Sequence, residues 1–252
     1  MNKGHFIKSV SIKQEVLSFK NFNLSKLKRV NIFIGENSSG KSNIIRAIIG
    51  FPNKCQPIEI TFNNGKKINL PLDNHKEEHP FFEIPPFRNL IIQEDYPVCG
   101  NERSGMVDIK KINKHKKEFY RKLQKIIGIN IELKEGQLKG FPCCLINSKG
   151  CIELMPLTTC GNYRYTKNSG SNINIDLLGW GTKSVIIIFY NLFFAKKHIV
   201  FVEEPEISTH PNLLKKLFDW AFKEKKDCQF FITTHSSLLL DKIFLGFDEK
   251  EK

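Results

Sequence analysis

Two β runs open the chain, "HFIKSVSI" and "RVNIFI"; the alternation that puts Phe6, Val10 and Ile12 on one side suits a half-buried edge hairpin. "VNIFI" is denser in apolar residues, as expected of a buried central strand. After "GENSSGKS" (35–42) the period changes, and Ile44, Ile45, Ala47, Ile48 and Ile49 line one side of a short helix that "GFP" ends. From about 55 to 100, "IEITF", "NNGKK", "INLPL", "FFEI" and "NLIIQ" read as hairpin pieces and predict an antiparallel lobe. Between Asp108 and Ile127, helical spacing links Ile109, Ile112, Phe119, Leu123, Ile126 and Ile127, with an interruption at "KHKK" and a stop at Gly128. A β segment with an "NSKG" turn follows over roughly 129–157, and "GNYRYTKNSGSNIN" reads as a polar loop. The last third alternates: "KSVIIIFYNLFFAKK" as a buried helix, "HIVFVEEP" as a parallel strand, "HPNLLKKLFDWAFKEKK" as an amphipathic helix and "CQFFITTH" as a second strand, before "SSLLLDKIF" starts a further helix. Such alternation implies a parallel sheet.

Composition limits this picture without redrawing it. At 252 residues and 40% hydrophobic content the chain can bury a substantial core, so one domain over 1–252 is expected, carrying the β lobe and an inserted basic helix plus β segment over about 108–170. The formal charge of +13, from 39 Lys and Arg against 26 Asp and Glu, favours polyanionic partners or else reflects a Lys-rich background composition. No run approaches 18 apolar residues and "MNKGHFIKSV" has no signal-peptide core, so the expectation is a cytoplasmic protein with no membrane segment. Seven cysteines are then expected to stay reduced.

Candidate chemistry centres on the glycine loop. GxxxxGKS lets successive backbone N–H groups curl around phosphates, with Lys41 reaching the β and γ phosphates and the Ser42 hydroxyl on Mg²⁺. The cradle comprises Gly35, Glu36, Asn37, Ser38, Ser39, Gly40, Lys41, Ser42 and Asn43, and the following helix directs its positive end at the same anion. A P-loop predicts a second element, an apolar strand ending in carboxylates. "IVFVEEP" supplies it, with Glu203 placed to hold the Mg²⁺ shell through water and Glu204 placed to polarise the attacking water. "ITTHS" ends another buried strand at His235, from which an imidazole could contact a γ-phosphate.

In order and spacing, "IFIGENSSGKSNII", "VFVEEPEISTHP" and "FITTHSSLLL" resemble the ABC-type ATPase heads of the SMC/RecF superfamily. The "EEPE" followed by "HP" is most similar to the OLD (overcoming lysogenization defect) ATPases of anti-phage systems. The resemblance implies an α/β fold, a P-loop NTPase of ABC type with an antiparallel β lobe and a helical/β insertion. It also implies ATP and Mg²⁺ as cofactors and a homodimer, or higher homo-oligomer, closing head to tail around two nucleotides. The signature loop that would complete the partner's site falls on "LLGWGTKS", with Gly179, Trp180, Gly181 and Thr182 toward the γ-phosphate and Gly179 where transporter heads carry Ser. Backbone N–H groups, Thr182 or Lys183 would then do that work. A Mg²⁺-sensing glutamine falls on Gln93, which otherwise is an ordinary strand-end residue. OLD proteins continue into a TOPRIM-type nuclease domain, and this sequence holds no second acidic constellation, so the expected effector, a nuclease or toxin, is a separate chain.

Two further features carry chemistry. One face of the 108–127 helix bears Lys110, Lys111, Lys114, Lys117, Arg121, Lys122 and Lys125, which either track DNA or RNA phosphates or form a solvated surface. Cys143, Cys144, Cys151 and Cys160 have metal-ligand types without a CxxC pair, and read as zinc ligands or as buried thiols. The reading that results is an ATP-hydrolysing head regulating a separate effector. The alternatives are a DNA-maintenance ATPase, an ATP-locked scaffold without turnover, and a transporter motor, the last disfavoured by the absent LSGGQ.

Overall fold

The computed structural model describes residues 6–12, 21–49, 58–70, 81–84, 91–92, 106–107, 109–129, 131, 134–137, 143–146, 152–155, 161–166, 172–174, 179–195 and 199–240. The chain runs through β1 (Ile7–Ile12), β2 (Phe22–Leu24), β3 (Val30–Ile34), α1 (Lys41–Ile49), β4 (Ile58–Phe62), β5 (Lys67–Leu70) and β6 (Phe81–Ile84). It continues with β7 (Ile91–Ile92), β8 (Met106–Val107), α2 (Ile109–Lys114), α3 (Lys116–Ile127), β9 (Lys134–Gln137), β10 (Cys143–Ile146), β11 (Ile152–Met155), β12 (Gly161–Thr166) and β13 (Asn172–Asn174). Last come α4 (Trp180–Phe194), β14 (Ile199–Glu203), α5 (Pro211–Glu224), β15 (Gln229–Thr234) and the short α6 (Ser237–Leu239). They form two compact units, Met1–Pro86 with Phe194–Lys252, and Phe87–Phe193.

The first unit stacks an antiparallel sheet (β2-β1-β4-β5), helix α1 and a parallel sheet (β3-β15-β14-β6). Ile45 and Ile48 of α1 join Val10, Ile12, Ile58 and Ile60 from one sheet and Phe201 and Phe231 from the other in a single core. Phe201 and Phe231 stack with ring centroids 5.0 Å apart. One residue earlier, Phe230 points the other way and meets Phe222 of α5 at 5.1 Å. The period of two along β15 therefore assigns its neighbours to opposite layers. Both β14 and β15 are buried throughout, which is why their sequences read as unbroken apolar runs.

Several local expectations change. β1 is an inner strand, between β2 and β4, and a register shift between Ile7 and Ser9 lets both Phe6 and Ile7 be buried. "VNIFI" pairs only with β15 among the described residues, and its last residue, Ile34, is 49% exposed rather than central. "FFEI" leaves the antiparallel lobe and adds to β14 in parallel, Ile199 opposite Phe81. A four-residue apolar run does not reveal its partner, because strand direction is decided by what lies beside it. The Asn-Gly turn holds: Gly65 adopts φ +82° and the Phe62 N–H donates to Lys66 O at 2.8 Å.

Gln229, fully buried, ties the two sheets. Its Oε1 accepts from Ile7 N–H at 2.7 Å, and its Nε2 donates to Ile7 O and Lys28 O at 2.9 and 2.8 Å. Replacing Gln229 by Leu strands two buried backbone groups of Ile7 and is expected to lower the unfolding free energy by about 3 kcal/mol, read by urea denaturation.

In the second unit the predicted break falls at His115 between α2 and α3, and Gly128 caps α3 in the left-handed region, donating to Gln124 O at 2.8 Å. Phe119, Leu123 and Ile126 are the buried stripe of α3. Phe119 packs against Phe189 and Phe193 of α4 at 5.0 and 5.2 Å. α4 is buried from Lys183 to Leu192, matching its unbroken apolar sequence. β10 and β11 form the expected hairpin. The "GNYRYT" stretch is not loop but strand β12, set between β13 and β9; alternating Tyr163 and Tyr165 give it the β propensity that the Gly, Ser and Asn around it obscure. Of "NLIIQ", Ile91 and Ile92 are described, and as β7 they pair with β8 in parallel rather than in the expected antiparallel lobe. Among the described residues no helix is long and apolar enough to cross a membrane.

Candidate functional site

In-register parallel pairing brings the candidate residues of the first unit to one end of the sheet. Ile34 stands opposite Thr234, and Glu203 opposite Thr233, so Gly35, Glu204 and His235 each follow directly from a strand's carboxyl end. Ligands of open α/β sheets bind at such ends.

The loop itself is built from local constraints. Ser38 (φ +64°) and Gly40 (φ +91°) occupy the left-handed region, and Ser39 N–H donates to Glu36 O at 3.2 Å. A Cβ at Gly35 would come within 2.7 Å of Ser39 Oγ and 3.3 Å of Ser39 Cβ, so a side chain there would displace the Ser39 side chain from the loop. Lys41, buried, donates from Nζ to Gly35 O at 2.8 Å and Glu36 O at 2.6 Å, folding its cation across the loop. Residues 38–43 and Glu204 line an open cavity of about 400 Å³. Left-handed turns, a buried cation and the first turn of α1 give this cavity the donors that polyphosphate needs. Ser42 and the buried carboxylate of Glu203 have the oxygen chemistry that suits Mg²⁺.

Glu204 leaves the strand with φ +41°, an uncommon conformation for a side-chain-bearing residue. It is held there by its N–H, which donates to Thr233 O at 2.9 Å and lies 3.3 Å from Thr233 Oγ1. Strain of this kind costs about 1–3 kcal/mol and concentrates at functional sites. The "HP" that follows has a local cause: His210 caps α5 through Asn212 N–H, with Pro211 in the first turn.

Three residues that sequence reasoning passed over tie these parts together. Thr233 anchors Glu204, and Thr234 O accepts from Gly35 N–H at 3.3 Å. Glu206 Oε1 accepts from Thr234 Oγ1 at 2.6 Å and from His235 N–H at 2.8 Å, and lies 3.2 Å from His235 Nδ1. The signal was present in "TTH" and in the fourth residue of "EEPE", but only the fold sets them side by side. Glu206 Oε2 is buried with no partner among the described residues, a deficit that costs about 1–3 kcal/mol in comparable cases.

Gly179, Gly181 and Thr182 lie in the other unit, at the start of α4. Gly179 O accepts from Thr182 N–H at 3.0 Å and Lys183 N–H at 3.2 Å, so those two donors are engaged, and the helix start leaves Trp180 and Gly181 N–H without intrahelical acceptors. Trp180 is 60% exposed, and Lys183, itself buried, places Nζ 5.1 Å from the Trp180 ring centroid. Gln93, Cys151 and Cys160 lie outside the described residues, as do the side chains of Cys143 and Cys144. Buried Cys228 has its thiol pushed up to about 11 by desolvation, which keeps it unreactive.

Residues 102–240, more than half of the chain, match the family described as AAA ATPase domain. The chain belongs to this AAA ATPase family. The matched stretch holds α4, both carboxylates and His235, and the P-loop precedes it. Among solved structures, the SMC head domain from Thermotoga maritima superposes with a TM-score of 0.50 at 11% identity, over 95% of this chain and 92% of that one. An Smc head bound to the C-winged helix domain of ScpA does so with a TM-score of 0.54 at 14% identity, over 94% and 92%. This AAA ATPase therefore has the P-loop NTPase fold of SMC heads. No curated protein matches the chain.

Proposed function

We propose that this AAA ATPase binds ATP with Mg²⁺ at residues 35–43, hydrolyses it within a homodimer, and couples turnover to an effector protein in anti-phage defence. The observation that supports it most is the convergence of P-loop, Glu204 and His235 on one sheet end, where residues 38–43 and Glu204 line a cavity of about 400 Å³. Lys41 exchanges its two carbonyls for β and γ oxygens, α1 directs its N-terminal N–H groups at the phosphates, and His235 contacts the γ-phosphate. Glu204 takes a proton from the attacking water; the new P–O bond forms as the bond to the β-phosphate oxygen breaks, releasing ADP and phosphate. Ser42 and, through water, Glu203 would hold Mg²⁺, which when bound neutralises charge on the phosphate oxygens. Gly179, Gly181 and Thr182 are assigned to the partner's nucleotide. The effector and the defence role rest on the resemblance of "EEPEISTHP" to OLD proteins. A steady-state ATPase assay on the purified chain, with nucleotide-dependent dimerisation followed by light scattering, tests the core of the proposal; absence of both would overturn it.

A second reading, a RecF/SMC-like ATPase of DNA maintenance, is favoured by the second unit's basic face. Lys114, Lys117, Arg121 and Lys125 are exposed at intervals of three or four residues and make no ion pair among the described residues. The acidic neighbour Glu118 is already engaged by Lys122 at 2.8 Å, and that hydrogen bond holds its carboxyl below the usual range. Neutralising Lys114, Lys117 and Arg121 together is expected to reduce the slope of log K against log salt for DNA or RNA by about two to three. Binding with no salt slope, or unchanged in that variant, would remove the helix as the contact.

A further inference from the structure

We infer that Glu206 is a positioning residue for His235: its carboxylate selects the imidazole tautomer and fixes the ring so that Nε2, not Nδ1, is the nitrogen offered to the γ-phosphate. The inference rests on the proposed hydrolysis for the role of His235, and on geometry alone for the tautomer.

Glu206 lies three residues beyond the end of β14, and its side chain is only 10% exposed, against 43% for that of His235. One oxygen of this carboxylate gathers three donor atoms from two consecutive residues: Thr234 Oγ1, the His235 backbone nitrogen and His235 Nδ1. The first two fix where the His235 backbone sits. The third, Nδ1 at 3.2 Å, faces the carboxylate from a ring whose side chain is otherwise 43% exposed. A neutral imidazole carries one ring proton, and an acceptor facing Nδ1 places that proton there. Nε2 is then the nitrogen left for a ligand. It accepts from a water in the neutral ring and donates to a phosphate oxygen once protonated. The same division of labour, an acidic side chain orienting a histidine through Nδ1, recurs wherever a histidine must present Nε2.

The surrounding bonds extend the effect. Ser236 N–H donates to Thr234 Oγ1 at 3.0 Å, and Thr234 O holds Gly35 at the start of the P-loop. Glu206 therefore sets the histidine against the same backbone frame that sets the phosphate cradle.

The test uses ¹⁵N-histidine NMR of the full nucleotide-free chain, at a pH where the ring is neutral, with Glu206→Ala, Glu206→Gln and His235→Ala; the last identifies the His235 signal. The wild type is expected to show the Nδ1–H tautomer, Glu206→Gln to retain it through its amide oxygen, and Glu206→Ala to move it toward Nε2–H. In turnover, Glu206→Ala is expected to lower kcat about 10- to 100-fold with KM for ATP within about threefold, and to cost nothing further in a His235→Ala background. An unchanged tautomer in Glu206→Ala, or additive losses in the double variant, would overturn the inference. If the wild type does not hydrolyse ATP, the proposed function fails while the tautomer measurement still decides the positioning. Should Glu206→Ala not fold, Glu206→Asp, which withdraws the carboxylate by one methylene, is read the same way.

Discussion

Glu204→Gln is expected to lower ATP turnover by about 10²- to 10⁴-fold while nucleotide affinity changes little, the range attributable to a positioned general base. Gln keeps the size and the backbone bond to Thr233 and loses only the capacity to take a proton. Because binding survives and hydrolysis does not, the variant should also accumulate as an ATP-bound dimer, visible as a doubled mass by light scattering. Single-turnover kinetics separate the chemical step from product release. A wild type that turns over no faster than Glu204→Gln, with both still dimerising on ATP, would leave a nucleotide-locked scaffold as the surviving reading. Retention of turnover in Glu204→Gln, with a normal wild-type rate, would move the base elsewhere.

Lys41→Ala acts earlier in the cycle. Nζ now bridges Gly35 O and Glu36 O within the loop, and the proposed binding event redirects this buried cation to phosphate oxygens. Removing a desolvated, hydrogen-bonded charge opposite another charge costs about 2–5 kcal/mol, so ATP affinity should fall at least about 30-fold, measured by calorimetry or fluorescent-nucleotide titration. Stability should change little, because Glu36 is exposed and Gly35 part-exposed, so the loop lies at the surface. Affinity within threefold of wild type would show that the triphosphate lies elsewhere. The two variants differ in kind: one loses binding, the other loses chemistry after binding.

How far the sequence carried differs by element. The P-loop, the carboxylate strand, the histidine strand end and helices α1, α3, α4 and α5 were all legible, because each is specified by residues within a few positions of one another. The break at His115 and the Gly128 stop were legible for the same reason. β6 was not: "FFEI" contains nothing that distinguishes a lobe strand from the flank of a parallel sheet, and only its neighbour β14, more than a hundred residues away, decides. β12 was hidden by its Gly-, Ser- and Asn-rich surroundings.

The amino-acid sequence by itself determined that a glycine-containing loop between strand and helix, two strand-end acids and a strand-end histidine exist in this AAA ATPase, since glycine freedom, helix capping and apolar runs are local properties. Tertiary structure alone decided how they join. The hub at Thr233, Thr234 and Glu206, with the φ +41° turn at Glu204, depends on register between strands far apart in the chain. Register is set by the packing of Phe201, Phe230 and Phe231 between layers, a property of no single segment.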